Sequence, residues 1–305
     1  MFSKIIEEIC KELNIKYTYL SKDWIIKLEK DNKIIYLSGN KFDLNGHALG
    51  LIMDDKYAFY DTLNKLNIPA CVHSIIYREN NNYEYARNCH TKEDIINYYN
   101  EYNKDVVIKP NIGSLGLGVY HITNKDELLE KTKELLTENF SISICPFYNI
   151  KNEYRIIILN NSIKLIYKKQ NPVVTGDGKS TLKDLLINFN KYYFENKNIP
   201  NIILKKDEKY TYDWHFNLSR GSKASLDIDN NKKEELSKLA LEVSKKVGIT
   251  FASIDIVELY NNKLSVLEAN SGVTIDKVIN FIPNGYKIAK DIYKEAIEIS
   301  FKNNI

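Results

Sequence analysis

Three things are scarce in this 305-residue sequence: cysteine, long apolar runs and an excess of charge of either sign. The four cysteines are Cys10, Cys71, Cys89 and Cys145. Their wide spacing matches no metal-binding or disulfide pattern, which argues against a cysteine-bound metal and a disulfide-stabilised fold. This cysteine usage is typical of a reducing compartment, so we expect a cytoplasmic location.

Apolar residues form no run near the roughly 20 residues that span a membrane. The first residues, MFSKIIEEICKEL, carry acids and lack a long apolar core, so they predict an amphipathic helix and not a signal peptide. The 43 basic and 40 acidic residues give a net charge of +3, which argues against a dedicated nucleic-acid surface. Neither a membrane nor a nucleic acid is therefore an expected partner.

A glycine-rich loop follows a β-rich segment in DVVIKPNIGSLGLGV, residues 105–119. Lys109 lies at the end of the predicted strand, and the loop then contains Gly113, Ser114 and Gly116. Because glycine has no Cβ, such a loop can lay its backbone N–H groups against an anion, and the lysine adds a charge beside them. The glycine order fits neither a P-loop nor a dinucleotide-binding fingerprint. The pattern predicts a cover over nucleotide phosphates, and a plain hairpin with an exposed lysine is the alternative.

A second polar cluster lies in ASIDIVELYNNKLSVLEANSG, residues 252–272. Alternating residues predict two strands joined by an Asn-Asn turn. Glu268 and Asn270 are two residues apart and share one face, where Asp255 of the first strand can meet them. Two carboxylates and an amide oxygen suit Mg²⁺ held together with substrate phosphates. The alternative is an exposed polar face on an ordinary hairpin.

Together the two clusters resemble the ATP-grasp superfamily, over a region from about Asp54 to about Ile279. In D-alanine–D-alanine ligases and their relatives, one lysine follows an aspartate at the start of a helix. The matching residue here is Lys56. A second lysine begins the glycine-rich cover, and it matches Lys109. The resemblance implies that both lysines hold the α- and β-phosphates of ATP.

The same resemblance implies a complete nucleotide and metal site. An extended hinge carries adenine in these enzymes, with a glutamate for the ribose a few residues further on. The matching residues are Pro146, Phe147 and Tyr148 for the hinge, Glu153 for the ribose, and Asp255, Glu268 and Asn270 for the metal. The implied cofactors are ATP and two Mg²⁺ ions, with Mn²⁺ as a substitute.

The middle of the chain resembles particular ligases. VVTGDGKSTLKDLL resembles a segment of cyanophycin synthetases and bifunctional glutathione synthases, and NLSRGSKA resembles the Asn-x-x-Arg-Gly-Gly segment of ribosomal-protein-modifying glutamate ligases. The second glycine of that motif is Ser222 here. The arginine that D-alanine ligases place two residues before the metal aspartate is Ser253 here. Arg220 and Arg155 are the candidates to take over its role at the acyl phosphate and the tetrahedral oxyanion, and Lys169 is expected to reach the γ-phosphate.

The expected architecture is a mixed α+β and α/β ATP-grasp fold, in which an N-terminal α/β subdomain precedes two α+β subdomains that clasp ATP. We divide the chain into a pre-ATP-grasp subdomain (1–100), a lid subdomain (101–165) and a C-terminal subdomain with the Mg²⁺ site (166–305). Local patterns predict a hairpin in WIIKLEKDNKIIYL, a loop in SGNKFDLNGHALG, helices in DKYAFYDTLNKLN and KKEELSKLALEVSKKV, a helix capped by Thr181, and a final helix near the C-terminus. The five histidines show no metal spacing, and Trp214 is interpreted as a packing or surface residue.

The resemblance implies an ATP-dependent carboxylate–amine ligase. Such an enzyme transfers the γ-phosphoryl group to a carboxylate, and an amine then displaces phosphate to form an amide. The expected partners are small-molecule or peptide carboxylates and amines, and a homodimer is left open. Two alternatives are an ATP-grasp kinase that stops at phosphoryl transfer and a regulatory module that binds nucleotide without turnover.

Overall fold

The computed structural model of this protein describes residues 1–79, 91–113, 116–189, 194, 199–218, 222–276 and 278–303. Runs of strands are separated by single helices or a pair of helices over this part of the chain. The helices are α1 (Phe2–Leu13), α2 (His47–Asp54), α3 (Lys56–Lys65), α4 (Lys92–Glu101), α5 (Lys125–Glu138), α6 (Leu182–Phe189), α7 (Asn230–Val247) and α8 (Gly285–Asn303). The strands are β1 (Lys16–Leu20), β2 (Ile25–Lys30), β3 (Lys33–Ser38), β4 (Lys41–Phe42), β5 (Ser74–Tyr77), β6 (Val106–Pro110), β7 (Tyr120–Ile122), β8 (Ser141–Pro146), β9 (Ile150–Leu159), β10 (Ser162–Lys169), β11 (Val173–Thr175), β12 (Lys209–Thr211), β13 (Ala224–Ser225), β14 (Phe251–Leu259) and β15 (Leu264–Asn270).

A central sheet of five strands, in the order β13-β10-β9-β14-β15, organises the fold. Side chains alternate between the two faces of a strand. Ile156 and Ile254 therefore project to one face, where they share a core with α3 and α7. Ile157 and Phe251 project to the other face and share a core with α1 and α8. On this second face, Glu153 and Arg155 continue the alternation of β9, so the polar side chains of the site extend from a sheet that is buried on both sides.

A second sheet, with the order β5-β8-β6-β7, carries the glycine-rich loop between β6 and β7. We call it the lid sheet. Its core includes residues of α4 and α5, among them Ile95 and Leu128. Near the N-terminus, β1 to β4 form a third sheet that packs with α1 and α8. Strands β11 and β12 form a separate pair.

Strand pairing groups the chain differently from the predicted subdomain boundaries. The lid sheet contains β5, which precedes residue 100, while β9 lies within the predicted lid range but pairs with β14 of the central sheet. A sheet is completed by strands that are distant in sequence, so composition gives no signal at these points. The division at residues 100 and 165 stays a prediction.

Several local predictions are confirmed, and one is wrong. The N-terminal helix buries Ile5, Ile6 and Ile9, and Thr181 forms the predicted cap, accepting a hydrogen bond from the Asp184 backbone N–H at 3.1 Å. The predicted loop SGNKFDLNGHALG instead contains β4 and the start of α2. Strand β4 has two residues and α2 has eight, so both depend on tertiary contacts that a local pattern does not reveal.

Candidate functional site

One cleft of about 620 Å³ lies where the lid sheet faces the central sheet. Most of the residues predicted for the site line it, although they come from widely separated elements. They are Lys56, Lys109, Gly113, Gly116, Pro146, Phe147, Tyr148, Glu153, Arg155, Lys169, Glu268 and Asn270. Asp255 is buried beside Arg155 on the central sheet, and Ser114 and Arg220 lie outside the described residues.

Four charged side chains form a buried charge group on the central sheet: Glu153, Arg155, Lys169 and Asp255. Arg155 and Asp255 are opposite each other in neighbouring strands, and so are Glu153 and Lys169. The Arg155 guanidinium donates two hydrogen bonds to Asp255, each of 2.7 Å. The Lys169 ammonium donates to Asp255 at 2.7 Å and also to Glu153. Two cations and two anions therefore neutralise each other in this group.

Burial and pairing act in opposite directions on these groups. Burial alone would raise the pKa of Asp255, but the charges of Arg155 and Lys169 outweigh it and hold the pKa at about 2. Burial raises the pKa of the Glu153 carboxyl against the opposing effect of the Lys169 ammonium. Asp255 is thus ionised at neutral pH, with both carboxylate oxygens accepting hydrogen bonds from the chain.

Lys56 connects the start of α3 to the glycine-rich loop. The carboxylate of Asp55 caps α3 by accepting a hydrogen bond from the Ala58 N–H at 2.7 Å. The Lys56 side chain then extends to the carbonyl of Gly113, 3.1 Å from its Nζ. Burial lowers the pKa of Lys56, Glu268 opposes this effect, and Lys109 adds to it. The two lysines predicted to hold phosphates therefore lie close enough to influence each other, with Glu268 nearby.

The glycine-rich loop needs glycine at particular positions. Gly116 has φ of 70° and Gly118 has φ of 66°, a left-handed conformation that side chains with a Cβ rarely adopt. A Cβ on Gly118 would also lie 3.0 Å from Leu135 of α5. The loop conformation and its close packing on the lid sheet therefore both require glycine there.

The predicted metal ligands come together only in part. Asp255 pairs with Glu268 across the hairpin, and Asn270 pairs with Ser253, as the strand prediction required. Glu268 and Asn270 line the cleft and offer the oxygen donors that Mg²⁺ prefers. Over the residues that the structure describes, no group of three His, Cys, Asp or Glu side chains is arranged to hold a metal ion. The oxygens of Asp255 already accept hydrogen bonds from Arg155 and Lys169. Of the three predicted metal ligands, Glu268 and Asn270 are therefore the two whose oxygens are available to a metal ion.

The cleft contains residues that the sequence did not indicate. Lys41 and Asp54 line it, as do Asn40 and Thr274. Trp214 also lines it and belongs to an aromatic cluster: its ring lies edge-on to Phe147, and Phe147 stacks on His121 with 3.8 Å between ring centroids. Only tertiary contacts bring these residues to the cleft. Asp54 begins the motif that contains Lys56, and no motif in the sequence marks the others.

Two curated relatives are similar to most of this chain. The chain is 22% identical over 292 residues to the glutathione biosynthesis bifunctional protein GshAB of Streptococcus mutans. This alignment covers 87% of this chain and 36% of that protein. It is also 25% identical over 232 residues to D-alanine–D-alanine ligase B of Clostridium tetani. That alignment covers 73% of this chain and 54% of that protein. The chain thus spans between about a third and about half of these relatives. No protein-family model matches it.

A solved structure shows the fold over almost the whole chain. D-alanyl-alanine synthetase A from Vibrio cholerae superposes with a TM-score of 0.61 over 99% of this chain and 92% of that one, at 11% identity. At this identity the likeness establishes the fold. The mixed α/β architecture and the resemblance to ATP-grasp carboxylate–amine ligases are confirmed by these likenesses.

Membrane attachment by a spanning helix finds no support in the described part of the chain. None of its helices combines the length and the apolar character required to cross a bilayer.

Proposed function

We propose that this protein is an ATP-dependent ligase that activates a carboxylate as an acyl phosphate and joins it to an amine, releasing ADP and phosphate. The observation that carries the proposal is the cleft itself. It collects two lysines, a glycine-rich loop, a hinge segment and two oxygen donors from both sheets and from the start of α3. Of the two curated relatives, one is a ligase by name and the other is a glutathione biosynthesis protein, and this chain spans only part of the length of each.

The charges of the cleft suit the joining of two anions. ATP and a carboxylate repel each other, so a site that transfers phosphoryl between them must supply positive charge. Lys56 and Lys109 face the cleft, and so do Arg155 and Lys169. Because Asp255 and Glu153 already compensate Arg155 and Lys169, the positive charge left for ATP and the carboxylate comes from Lys56 and Lys109.

In the proposed arrangement, ATP lies along the cleft with its base at the hinge. Pro146, Phe147 and Tyr148 flank the base, and Glu153 accepts a ribose hydroxyl. Lys56 and Lys109 hold the α- and β-phosphates together with the backbone around Gly113, Ser114 and Gly116. Glu268 and Asn270 would hold Mg²⁺, with Asp255 as the third predicted ligand, and bound Mg²⁺ would neutralise phosphate charge during transfer.

The reaction takes place in two steps. The substrate carboxylate oxygen bonds to the γ-phosphorus of ATP as the bond to ADP breaks. The amine then attacks the acyl carbon, the carbon–oxygen bond to phosphate breaks, and the amine proton passes to solvent. Arg155, Arg220 and Lys169 are the proposed contacts of the transferring group and the oxyanion. An acyl phosphate is electrophilic enough to react with the amine without a nucleophilic side chain. Water must be excluded from the cleft until the amine attacks, because water would hydrolyse the acyl phosphate.

ADP formation with paired substrates tests this proposal. With the correct carboxylate alone, ADP production should be slow; adding the correct amine should accelerate it and yield an amide, with one phosphate released for each ADP. Hydroxylamine should replace the amine and trap a hydroxamate. Full-rate formation of a stable phosphorylated product without an amine, and without free phosphate, would establish a kinase instead. Nucleotide binding with no ADP formation from any substrate pair would favour a regulatory module.

A further inference from the structure

Helix α3 and the glycine-rich loop belong to different cores, yet they meet at the cleft. Phe59 and Leu63 of α3 lie in the core that α3 shares with the central sheet, whereas Ile108 of β6 lies in the core of the lid sheet. The two lysines assigned to the phosphates are divided in the same way, because Lys56 is the first residue of α3 and Lys109 lies in β6. Their relative position therefore depends on the contact that joins α3 to the loop.

Asn111 makes this contact with both its backbone and its side chain. The backbone N–H groups at the start of an α-helix have no acceptor within the helix. In α3, the Lys56 N–H donates to the Asn111 carbonyl at 3.2 Å, and the Tyr57 N–H donates to Asn111 Oδ1 at 3.1 Å. The next N–H, that of Ala58, donates to the Asp55 carboxylate. The start of α3 is therefore capped largely by a residue that lies 54 positions after Tyr57 in the chain.

Neighbouring backbone contacts hold Asn111 in place from both sides. Towards the lid sheet, the Asn111 N–H donates to the carbonyl of Ser141, the first residue of β8, at 3.2 Å. Towards α3, the next residue of the loop, Ile112, forms an antiparallel bridge with Asp55. Asn111 is thus fixed to the lid sheet while it caps α3, and it joins the two cores beside the phosphate lysines.

Packing alone does not account for asparagine at this position. The Asn111 side chain is 0% exposed. Its Oδ1 must face the Tyr57 N–H, because only the oxygen of an amide accepts a hydrogen bond. The Nδ2 atom is buried and has no hydrogen-bond acceptor among the residues that the structure describes. Burying an amide carries a desolvation cost that a leucine of similar volume would avoid, so the hydrogen bond of the oxygen is the feature that requires asparagine.

We propose that Asn111 is a positioning residue of the phosphate site, which caps α3 from the glycine-rich loop and so places Lys56 beside Lys109. Two ammonium groups repel each other, so a constraint is needed to hold both at one polyphosphate. The Lys56 ammonium already lies 3.1 Å from the carbonyl oxygen of Gly113, within the loop that Asn111 begins. Asn111 acts through Lys56 and does not itself contact the nucleotide. The inference rests on the proposed function for the identity of the ligand, a nucleoside polyphosphate.

A comparison of two ligands tests this role without requiring turnover. The probes are Mg-ADP, followed by calorimetry, and adenosine, followed by ligand-observed NMR titration; they share the base and the ribose and differ in the phosphates. Asn111→Leu in the full chain should weaken Mg-ADP binding about tenfold, as expected for the loss of one charge-assisted contact, and should leave adenosine affinity unchanged. A purely structural role would weaken both ligands alike. Asn111→Ala removes the same oxygen with a smaller side chain and gives the same comparison if Asn111→Leu does not fold.

A double-mutant cycle tests whether Asn111 acts through Lys56. Lys56→Met removes the ammonium group that Asn111 is proposed to position. In that background, Asn111→Leu should therefore have little further effect on Mg-ADP affinity, whereas two independent effects would multiply.

The chain offers a matched control in Asn124, which caps α5 with the same side-chain atom. Its Oδ1 accepts hydrogen bonds from the N–H groups of Asp126 and Glu127, at 2.8 and 3.1 Å, and Asn124 does not line the cleft. Asn124→Leu removes a cap of the same kind and should leave the affinities for Mg-ADP and adenosine unchanged. The proposal is overturned if Asn111→Leu retains Mg-ADP affinity, if it weakens adenosine binding equally, or if its effect and that of Lys56→Met multiply.

The outcomes also separate this inference from the proposed function. Mg-ADP binding that is weakened by Lys109→Ala but not by Asn111→Leu would keep the nucleotide site and remove this role of Asn111. A loss of Mg-ADP affinity confined to the phosphates in Asn111→Leu, without ADP formation from any substrate pair, would keep the role of Asn111 and remove the ligase assignment. An unaltered protein that binds neither Mg-ADP nor adenosine would remove both.

Discussion

Arg155 of β9 and Asp255 of β14 lie directly opposite each other, joined by two parallel hydrogen bonds of 2.7 Å. The Asp255 side chain is 1% exposed, and that of Arg155 is 20% exposed. The two residues are separated by 100 positions in the chain. This pair fixes the strand that carries one predicted metal ligand against the strand that carries the predicted ribose ligand, so its loss should affect both stability and the site.

Removing the cation of this pair should destabilise the fold. Arg155→Met leaves Asp255 buried with Lys169 as its remaining cation, and breaking a buried pair in this way costs about 3–5 kcal/mol. Urea unfolding should show this loss of unfolding free energy. Arg155→Lys keeps the charge and should lose less. An unfolding free energy unchanged in Arg155→Met would show that the pair does not contribute to stability.

The same pair predicts how stability responds to acid. The pKa of Asp255 is about 2 in the folded protein and about 3.9 in an unfolded chain. A depressed pKa stabilises the fold above the unfolded value, and this contribution is lost as pH falls from about 4 to about 2. The difference in unfolding free energy between the unaltered protein and Arg155→Met should therefore narrow over that range. A constant difference from pH 4 to pH 2 would contradict the ionisation assigned to Asp255.

Loss of the lid-sheet lysine should weaken nucleotide binding. Lys109 lines the cleft from β6, and removing one charge-assisted phosphate contact should cost about 1.5–3 kcal/mol of binding free energy. Calorimetry with Mg-ATP should show the weaker affinity of Lys109→Ala, and turnover should be lost. Lys133→Ala removes the same charge from an exposed position of α5 and serves as the control. Equal ATP affinity in both variants would exclude Lys109 from the phosphate site.

Neutralising Glu268 should abolish activity without unfolding the protein. Glu268→Gln keeps the shape of the side chain and removes the carboxylate charge that Mg²⁺ needs. Thermal unfolding should be close to that of the unaltered protein, while Mg²⁺-dependent ATP binding and turnover are lost. Glu235→Gln, on the surface of α7 with its side chain 57% exposed, is the control. A structure with an ATP analogue and Mg²⁺ that placed no metal near Glu268 and Asn270 would refute the assignment.

Much of the local structure could be predicted from the sequence, because the signals are local. The hairpin that carries Asp255 and Glu268 follows from alternation and an Asn-Asn turn, and the structure forms it with these two residues opposite each other. The apolar stripe of the first helix is buried as its spacing predicts. The glycine-rich loop follows from the glycines themselves, because Gly116 and Gly118 adopt backbone angles that other residues disfavour.

The partners of the site residues could not be predicted in the same way. Arg155 was expected at the oxyanion, yet in the structure its guanidinium pairs with Asp255, which was expected at the metal. Lys169 was expected at the γ-phosphate, and it donates to Glu153 and Asp255. A sequence pattern gives the face on which a side chain lies. The neighbouring strand is set by pairing between segments far apart in the chain. That pairing therefore also decides which charged side chain lies opposite.

The sequence by itself therefore determined the local elements of this protein. These are the strands and helices with clear periodicity, the loop that glycine makes possible, and the residue types that can bind phosphate and Mg²⁺. Tertiary structure alone decided which charges neutralise each other and which remain available in the cleft. It also brought Lys41, which lies in a segment whose local pattern predicts a loop, beside Asp54 at the C-terminus of α2. The physical reason is that periodicity and backbone preference act over a few residues, whereas the balance of buried charge is set by contacts between segments up to hundreds of residues apart.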